Sequence, residues 1–265
     1  MTFLKKYFLL WLFYLSFIGT PPVLAQRSET KSPAQEKLEP QALAILRAMS
    51  DRLSAANSMS FTAITSYESP SLLGPPLVYT TVSEVTFQRP NKLRVITPGD
   101  GQANEFYYDG KTMSAYLPKE NLIAVASAPD DLDIALKMAY DSAAIYFPFT
   151  DVIVKDPYKD IVDGLKVAFV MGRSQVIGGT TTDIIVLAND KIFAQVWIGA
   201  EDKLPRMIRA VYRDDPSRLR HLVVFENWKL NIPVQSDSFN LPADNKALPI
   251  PFARPEPTTS TPKKP

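Results

Sequence analysis

Tyr107-Tyr108-Asp109-Gly110-Lys111-Thr112 is the stretch on which the fold turns. The residues on either side, 105–108 and 112–116, are rich in aromatic and β-branched side chains and carry no helix signal, so they read as two short strands. Asp-Gly between such runs predicts a tight hairpin, because a type I′ turn needs positive φ at both central residues and this dipeptide tolerates it.

Outward from that hairpin the period of two continues. Strands are expected at 60–67, 77–88 and 93–97 before it and at 122–126 after it. A second run follows at 165–177, 181–187, 192–199, 206–212 and 219–230, divided by turn clusters such as Gly178-Gly179, Ala188-Asn189-Asp190 and Asp214-Asp215-Pro216. Helical spacing occurs in two places. Residues 36–56 place Leu43, Leu46, Met49, Leu53 and Ala56 on one face. Between the two strand runs, Pro129-Asp130-Asp131 starts a helix with acids at the positive end of its dipole, and Leu132, Leu136, Ala139 and Ala143 form a stripe leading to Ile145-Tyr146-Phe147-Pro148-Phe149. Residues 151–164 read as irregular or short helical structure.

The expected class is therefore mainly β, of the α+β type: a large antiparallel sheet whose helices must bury their apolar stripes on its inner face, the only large apolar surface available. Such a sheet either curls or splits into a sandwich. The helical insertion favours curling.

The ends speak to location. Lys5 and Lys6 precede an uncharged apolar run of 12 residues, Tyr7 to Ile18, and then Gly19-Thr20-Pro21-Pro22 and Val23-Leu24-Ala25. This is the layout of a secretory signal peptide over 1–25, cleaved near Ala25, and the run is shorter than the roughly 20 residues a bilayer span needs. No permanent membrane span is expected after cleavage, and the protein is expected in the periplasm. Residues 26–35 read as a polar leader, 36–242 as one domain, and the Pro-rich 243–265 as a disordered tail.

Composition narrows the function. With no Cys, the fold lacks disulfides, thiolate nucleophiles and Cys-bound metals. The 29 Lys and Arg against 28 Asp and Glu become 27 against 28 once Lys5 and Lys6 are removed, which speaks against nucleic acid as a partner. The single His, His221, falls at the start of an expected strand and reads as a surface or edge residue. Acid clusters have local explanations: Asp130, Asp131 and Asp133 in a first helical turn, Asp214-Asp215 in a turn before Pro216. No catalytic residue, metal site or cofactor is assigned.

Several ordered motifs resemble known families. Met59-Ser60-Phe61-Thr62-Ala63, Arg89-Pro90-Asn91, Asp109-Gly110-Lys111-Thr112, Tyr116-Leu117-Pro118 and Phe239-Asn240-Leu241-Pro242 resemble the periplasmic lipoprotein carriers of LolA type. Tyr108-Asp109-Gly110-Lys111, Phe147-Pro148 with Asp151, Trp197-Ile198, Leu204-Pro205-Arg206 and Trp228 resemble more closely the predicted periplasmic proteins of the DUF2092 family. Ile184 departs from that pattern, which usually has a His there. The resemblance implies an unclosed, LolA-like half-barrel with helices over its concave face, a shape that shelters acyl chains, and it implies that Arg89 holds a helical lid. Arg89, Leu132, Leu136, Ala139, Phe147 and Trp197 are thus the candidate ligand-binding or lid residues, with a lipid, lipoprotein acyl chain or other apolar ligand as partner. An envelope sensor or protein-interaction module, with an envelope protein as partner, and a hydrolase of envelope polymers stay open on the same fold.

Overall fold

The computed structural model describes residues 38–99, 103–242 and 246–254; the expected signal peptide, the polar leader and residues 255–265 of the expected tail lie outside them. The elements run α1 (Pro40–Ser54), β1 (Ser58–Ser69), β2 (Leu77–Gln88), β3 (Lys92–Thr97), β4 (Asn104–Tyr108), β5 (Thr112–Leu117), β6 (Leu122–Ser127), α2 (Leu132–Ala143), α3 (Thr150–Ile153), α4 (Pro157–Val162), β7 (Val167–Ser174), β8 (Thr182–Ala188), β9 (Ile192–Gly199), β10 (Pro205–Tyr212), β11 (Arg220–Leu230) and β12 (Leu248–Ile250). No helix among them is long and apolar enough to cross a bilayer.

All the strands belong to one sheet, ordered β12-β6-β5-β4-β3-β2-β1-β11-β10-β9-β8-β7. Two meanders, β1–β6 and β7–β11, are joined where β1 pairs with β11, Met59 opposite Leu230 and Tyr67 opposite His221. The edges β12 and β7 do not meet, so the curved sheet stays an unclosed half-barrel. The β7 edge is partly covered, which limits pairing with other chains there. Beside β7, the Glu39 amide donates to the Ala168 carbonyl at 2.8 Å, and a Glu39 carboxylate oxygen accepts from the Val170 amide at 3.1 Å.

The other edge corrects the reading of 243–265 as a tail without structure. Leu248–Ile250 pairs with β6 in parallel, which also makes the sheet mixed rather than wholly antiparallel. Proline content obscured this strand, yet Pro249 is tolerated at an edge, where a missing N–H need not cost a ladder bond. Beyond β12, Phe252 packs on the core, and Arg254 donates to the Asp141 and Tyr140 carbonyls at 3.0 Å each, close to the end of α2.

The quoted hairpin forms where expected with a different turn. Its central residues are Gly110 and Lys111, bracketed by the Asp109 amide donating to Thr112 at 3.3 Å. Of these only Gly110 has positive φ, +94°, the type II′ pattern with Gly first. Asp109 sits one place earlier than the sequence suggests and uses its carboxylate, which accepts from the amides of Lys111 and Thr112 at 2.8 and 2.7 Å. A side chain on Gly110 would also collide with Asn91, whose amide nitrogen is 2.6 Å from the Cβ position, so the β2–β3 turn is seated against this one.

The core lies on the concave face. Phe61 and Ala63 of β1, Val85 and Phe87 of β2, Ile185 and Leu187 of β8, Val196 and Ile198 of β9 and Val223 and Phe225 of β11 point there at the alternation a pleated sheet imposes. Helix α1 begins at Pro40, not at 36, since proline at a first helical position gives up an N–H that has no partner anyway. Its buried face is Ala42, Leu46, Met49 and Leu53, while Leu43 is only half buried, a small rotation from the expected stripe. Helix α2 is capped by the Asp131 carboxylate accepting from the Ile134 amide at 3.0 Å, and it lays Leu132, Ala135, Leu136 and Ala139 on the sheet.

Candidate functional site

The centre of the half-barrel is filled by the chain's own groups: Leu46, Met49, Leu53, Phe87, Phe149 and Phe225 are buried. Free space remains at one end. There α2, the α2–α3 connection, α3 and α4 stand off the sheet over β10 and β11, leaving a recess of about 710 Å³. Its apolar wall is Leu136, Ile145, Phe147 and Val154; Tyr140, Tyr146 and Tyr212 add aromatic surface, and Asp133, Asp151, Asp160, Lys137 and His221 supply the charge-bearing groups. A smaller space of about 170 Å³ shares Asp151 and Asp160 and reaches Met49, Leu187, Val196 and Ile208. The larger volume is in the range of small-molecule sites, and its mix of apolar wall and few polar groups is what such sites use.

The candidate residues divide between three places. Leu136 and Phe147 line the recess. Leu132 and Ala139 are buried behind it and fasten α2 to the core. Trp197 does not join them: on β9 the inward residues are Val196 and Ile198, so Trp197 is on the convex face, opposite Ile184 of β8. The shared Trp-Ile motif thus marks Ile198 as the core residue and Trp197 as an outer cover.

Arg89 lies between helices and sheet, not in the recess. Its guanidinium donates long hydrogen bonds, 3.4 Å each, to the carbonyls of Leu53 in the last turn of α1 and Val154 just after α3. A cation there meets the negative ends of two helices. Burial pushes its pKa down, and the nearby Asp133 carboxylate opposes that. Asp133 in turn has its pKa raised, chiefly by burial, and one of its oxygens has no hydrogen-bond partner.

The polar groups of the recess escaped the sequence reading. His221 is not the surface or edge residue its place at a strand start suggests: it is two and four residues from the core positions Val223 and Phe225, so it shares their concave face. Its ring lies between Tyr67, 6.3 Å away and stacked, and Tyr212, 5.2 Å away and edge-on. Burial lowers its pKa from the usual 6.5, which keeps it neutral at pH 7. Tyr146 hydrogen-bonds Tyr212, and burial above all raises its pKa. Among the described residues, no three His, Asp or Glu side chains are grouped to hold a metal ion.

The Asp151 carboxyl also has its pKa raised. Water reaches it in the recess, but the surrounding protein desolvates it and the Asp160 charge repels it, and both raise its pKa above 3.8. The sign of its effect on stability follows. Between pH 3.8 and the folded-state pKa the folded protein holds a proton that the unfolded chain has lost, so the charge destabilises above that window and the cost is gone below it. Asp151→Asn is expected to raise Tm at pH 7, with the gain shrinking as the pH is lowered towards 3.8, measured by thermal melts of both proteins across that range. A variant that melts lower than the parent at pH 7 would show that the carboxylate has a stabilising partner after all.

Solved structures to which this chain is similar share little sequence with it. LprF from Mycobacterium bovis gives a TM-score of 0.45 at 17% identity, covering 74% of this chain and 96% of that one. A LolA-superfamily protein from Nitrosomonas europaea gives 0.36 at 10%, covering 76% and 97%. MucB of Pseudomonas aeruginosa in its complex with MucA gives 0.41 at 11%, covering 79% and 64%. No curated protein matches the sequence. One family does: the pattern of the predicted periplasmic proteins called DUF2092 matches residues 42–253, from the first turns of α1 through β12, and the chain belongs to that family.

Proposed function

We propose that this protein is exported, loses residues 1–25, and serves in the periplasm as a non-catalytic binding or carrier protein for a lipid, an acyl chain or another apolar ligand. The observation that carries the reading is the recess of about 710 Å³ walled by Leu136, Ile145, Phe147 and Val154. Each methylene that leaves water for such a wall gains about 0.8 kcal/mol, so a chain of several carbons binds without any charged contact. Helix α2 carries both the wall residue Leu136 and the core contacts Leu132 and Ala139, so this side of the recess is fastened to the core.

Native mass spectrometry of protein gently purified from the periplasm tests this. The expected spectrum contains a species heavier than the processed polypeptide, and Ile145→Trp, which fills the recess, removes it. A second reading, an interaction module, is favoured by the β1–β2 tip, where Leu72 and Leu73 stand 107% and 90% exposed. Bare polypeptide in every spectrum, lipid extracts without effect on Tm, and one stoichiometric envelope protein cross-linked through that tip would replace the carrier reading with this one.

A further inference from the structure

Helix α2 is fastened to the core only as far as Ala139. From Tyr140 to Tyr146 none of the residues is fully buried, and Phe147 is the next that is. Tyr140, Ile145 and Tyr146 of this stretch border the recess, so its rim is the part of the wall with the least packing behind it. The rim also carries backbone strain. Ala144, which ends the helix, has φ +57° and ψ +25°, a left-handed conformation that glycine normally supplies at this place. Its amide donates to the Tyr140 carbonyl at 2.9 Å, and the Ile145 amide donates to the Ala139 carbonyl at 3.2 Å, which closes the last turn.

A second segment holds this rim from outside. Beyond β12 the Arg254 guanidinium donates to the carbonyls of Tyr140 and Asp141 at 3.0 Å each and lies over the Tyr140 ring, 5.4 Å from its centre. A cation there meets the negative end of the helix and the face of an aromatic ring at once. The segment that delivers it is lightly attached. Leu248, Pro249 and Ile250 are exposed, Pro249 and Pro251 have no N–H to give a neighbour, and within 248–254 only Phe252 is partly buried. Such a strap lets go without disturbing the core. We propose that residues 248–254 are a latch on the recess: with Arg254 seated, the rim 140–146 is closed over the ligand, and when Arg254 leaves, the last turn of α2 relaxes from its strained cap and the ligand passes. This rests on the binding reading above and adds how ligand traffic is controlled. Arg254 touches the rim and not the lining of the recess, so the latch sets the rates of entry and exit alike and leaves the affinity in place.

Stopped-flow mixing of the processed full-length protein with dansylundecanoic acid reads association, and displacement of that probe by excess oleate reads dissociation. In Arg254→Gln both rates are expected to rise about tenfold, the factor by which an exposed guanidinium at a helix end and over a ring shifts an equilibrium, while Kd changes by less than about twofold. Arg254→Lys keeps the charge but cannot span both carbonyls, and its rates are expected to fall between those of the parent and Arg254→Gln. Ala144→Gly removes the left-handed strain, steadies the closed rim and is expected to slow both rates. Both positions are exposed, so thermal melts are expected to show an intact fold in every variant. Rates in Arg254→Gln equal to those of the parent, faster release with unchanged association, or acceleration by Ala144→Gly overturns the latch and leaves the recess standing as a site. No binding of the probe by the parent protein overturns both.

Discussion

Phe149→Ala is expected to lower the free energy of unfolding by about 3–5 kcal/mol, the cost of removing a fully buried aromatic ring from a site that cannot collapse. Phe149 is 1% exposed and precedes α3 at the joint where the helices meet the sheet. Its ring stacks on Phe147 at 5.5 Å and meets Phe61 edge-on at 5.6 Å. Phe61 is itself pinned by Phe225 at 5.7 Å and Trp228 at 4.4 Å, so the far wall of the new cavity is held by two strands and is not free to move inward. Each lost aromatic pair adds about 0.5–1.5 kcal/mol to the transfer cost. Urea unfolding is the measurement, with the m-value showing whether the folded state has also loosened. A cost below about 1 kcal/mol would mean that α3 shifts to refill the space, and the helices would then be more loosely seated than this core implies. Because Phe147 both stacks on Phe149 and lines the recess, the same variant is expected to weaken ligand binding without touching a group that faces the ligand.

What could be read from the sequence follows from which signals are local. The β4–β5 hairpin was legible because Asp109, Gly110 and their flanking strands lie together, but the turn type was not: whether positive φ falls on Asp109 or only on Gly110 depends on register, and the Asn91 contact that packs the neighbouring turn against Gly110 comes from far along the chain. The α2 stripe was legible from helical spacing, and Leu132, Leu136 and Ala139 are buried as that spacing requires. Trp197 was misplaced because a motif was read as a unit, when alternation sends Trp197 and Ile198 to opposite faces. Counting by two from Phe225 would have placed His221 on the concave face. β12 escaped because a three-residue edge strand containing Pro249 has almost no pattern of its own and is fixed by its partner β6. The recess itself, and the meeting of Asp151, Asp160, Tyr146, Tyr212 and His221, depends on packing α3 and α4 over β10 and β11, pairs of elements separated by dozens of residues, which no local signal encodes.

Arg89→Met is expected to destabilise the protein by about 2–3 kcal/mol at pH 7, and the pH dependence of that loss identifies its cause. The two hydrogen bonds are long, so their own contribution is modest; what the variant leaves behind matters more. The carbonyls of Leu53 and Val154 lose their cation, and Asp133, already desolvated and short of one partner, loses the positive charge that offsets its burial. Leaving a half-buried charge without the opposite charge near it costs more than removing both. The double variant Arg89→Met/Asp133→Asn is therefore expected to be more stable than Arg89→Met alone. In the single variant the pKa of Asp133 rises further, since the Arg89 charge was lowering it. As the pH falls through that folded-state value the carboxyl takes up a proton the unfolded chain does not hold, and the deficit relative to the parent protein shrinks. Equal stability of single and double variants, or a deficit independent of pH, would place the whole effect in the lost packing of the Arg89 stem over Phe87, 5.1 Å from its guanidinium, and would reduce Arg89 from a charge that bridges the ends of two helices to a spacer between them.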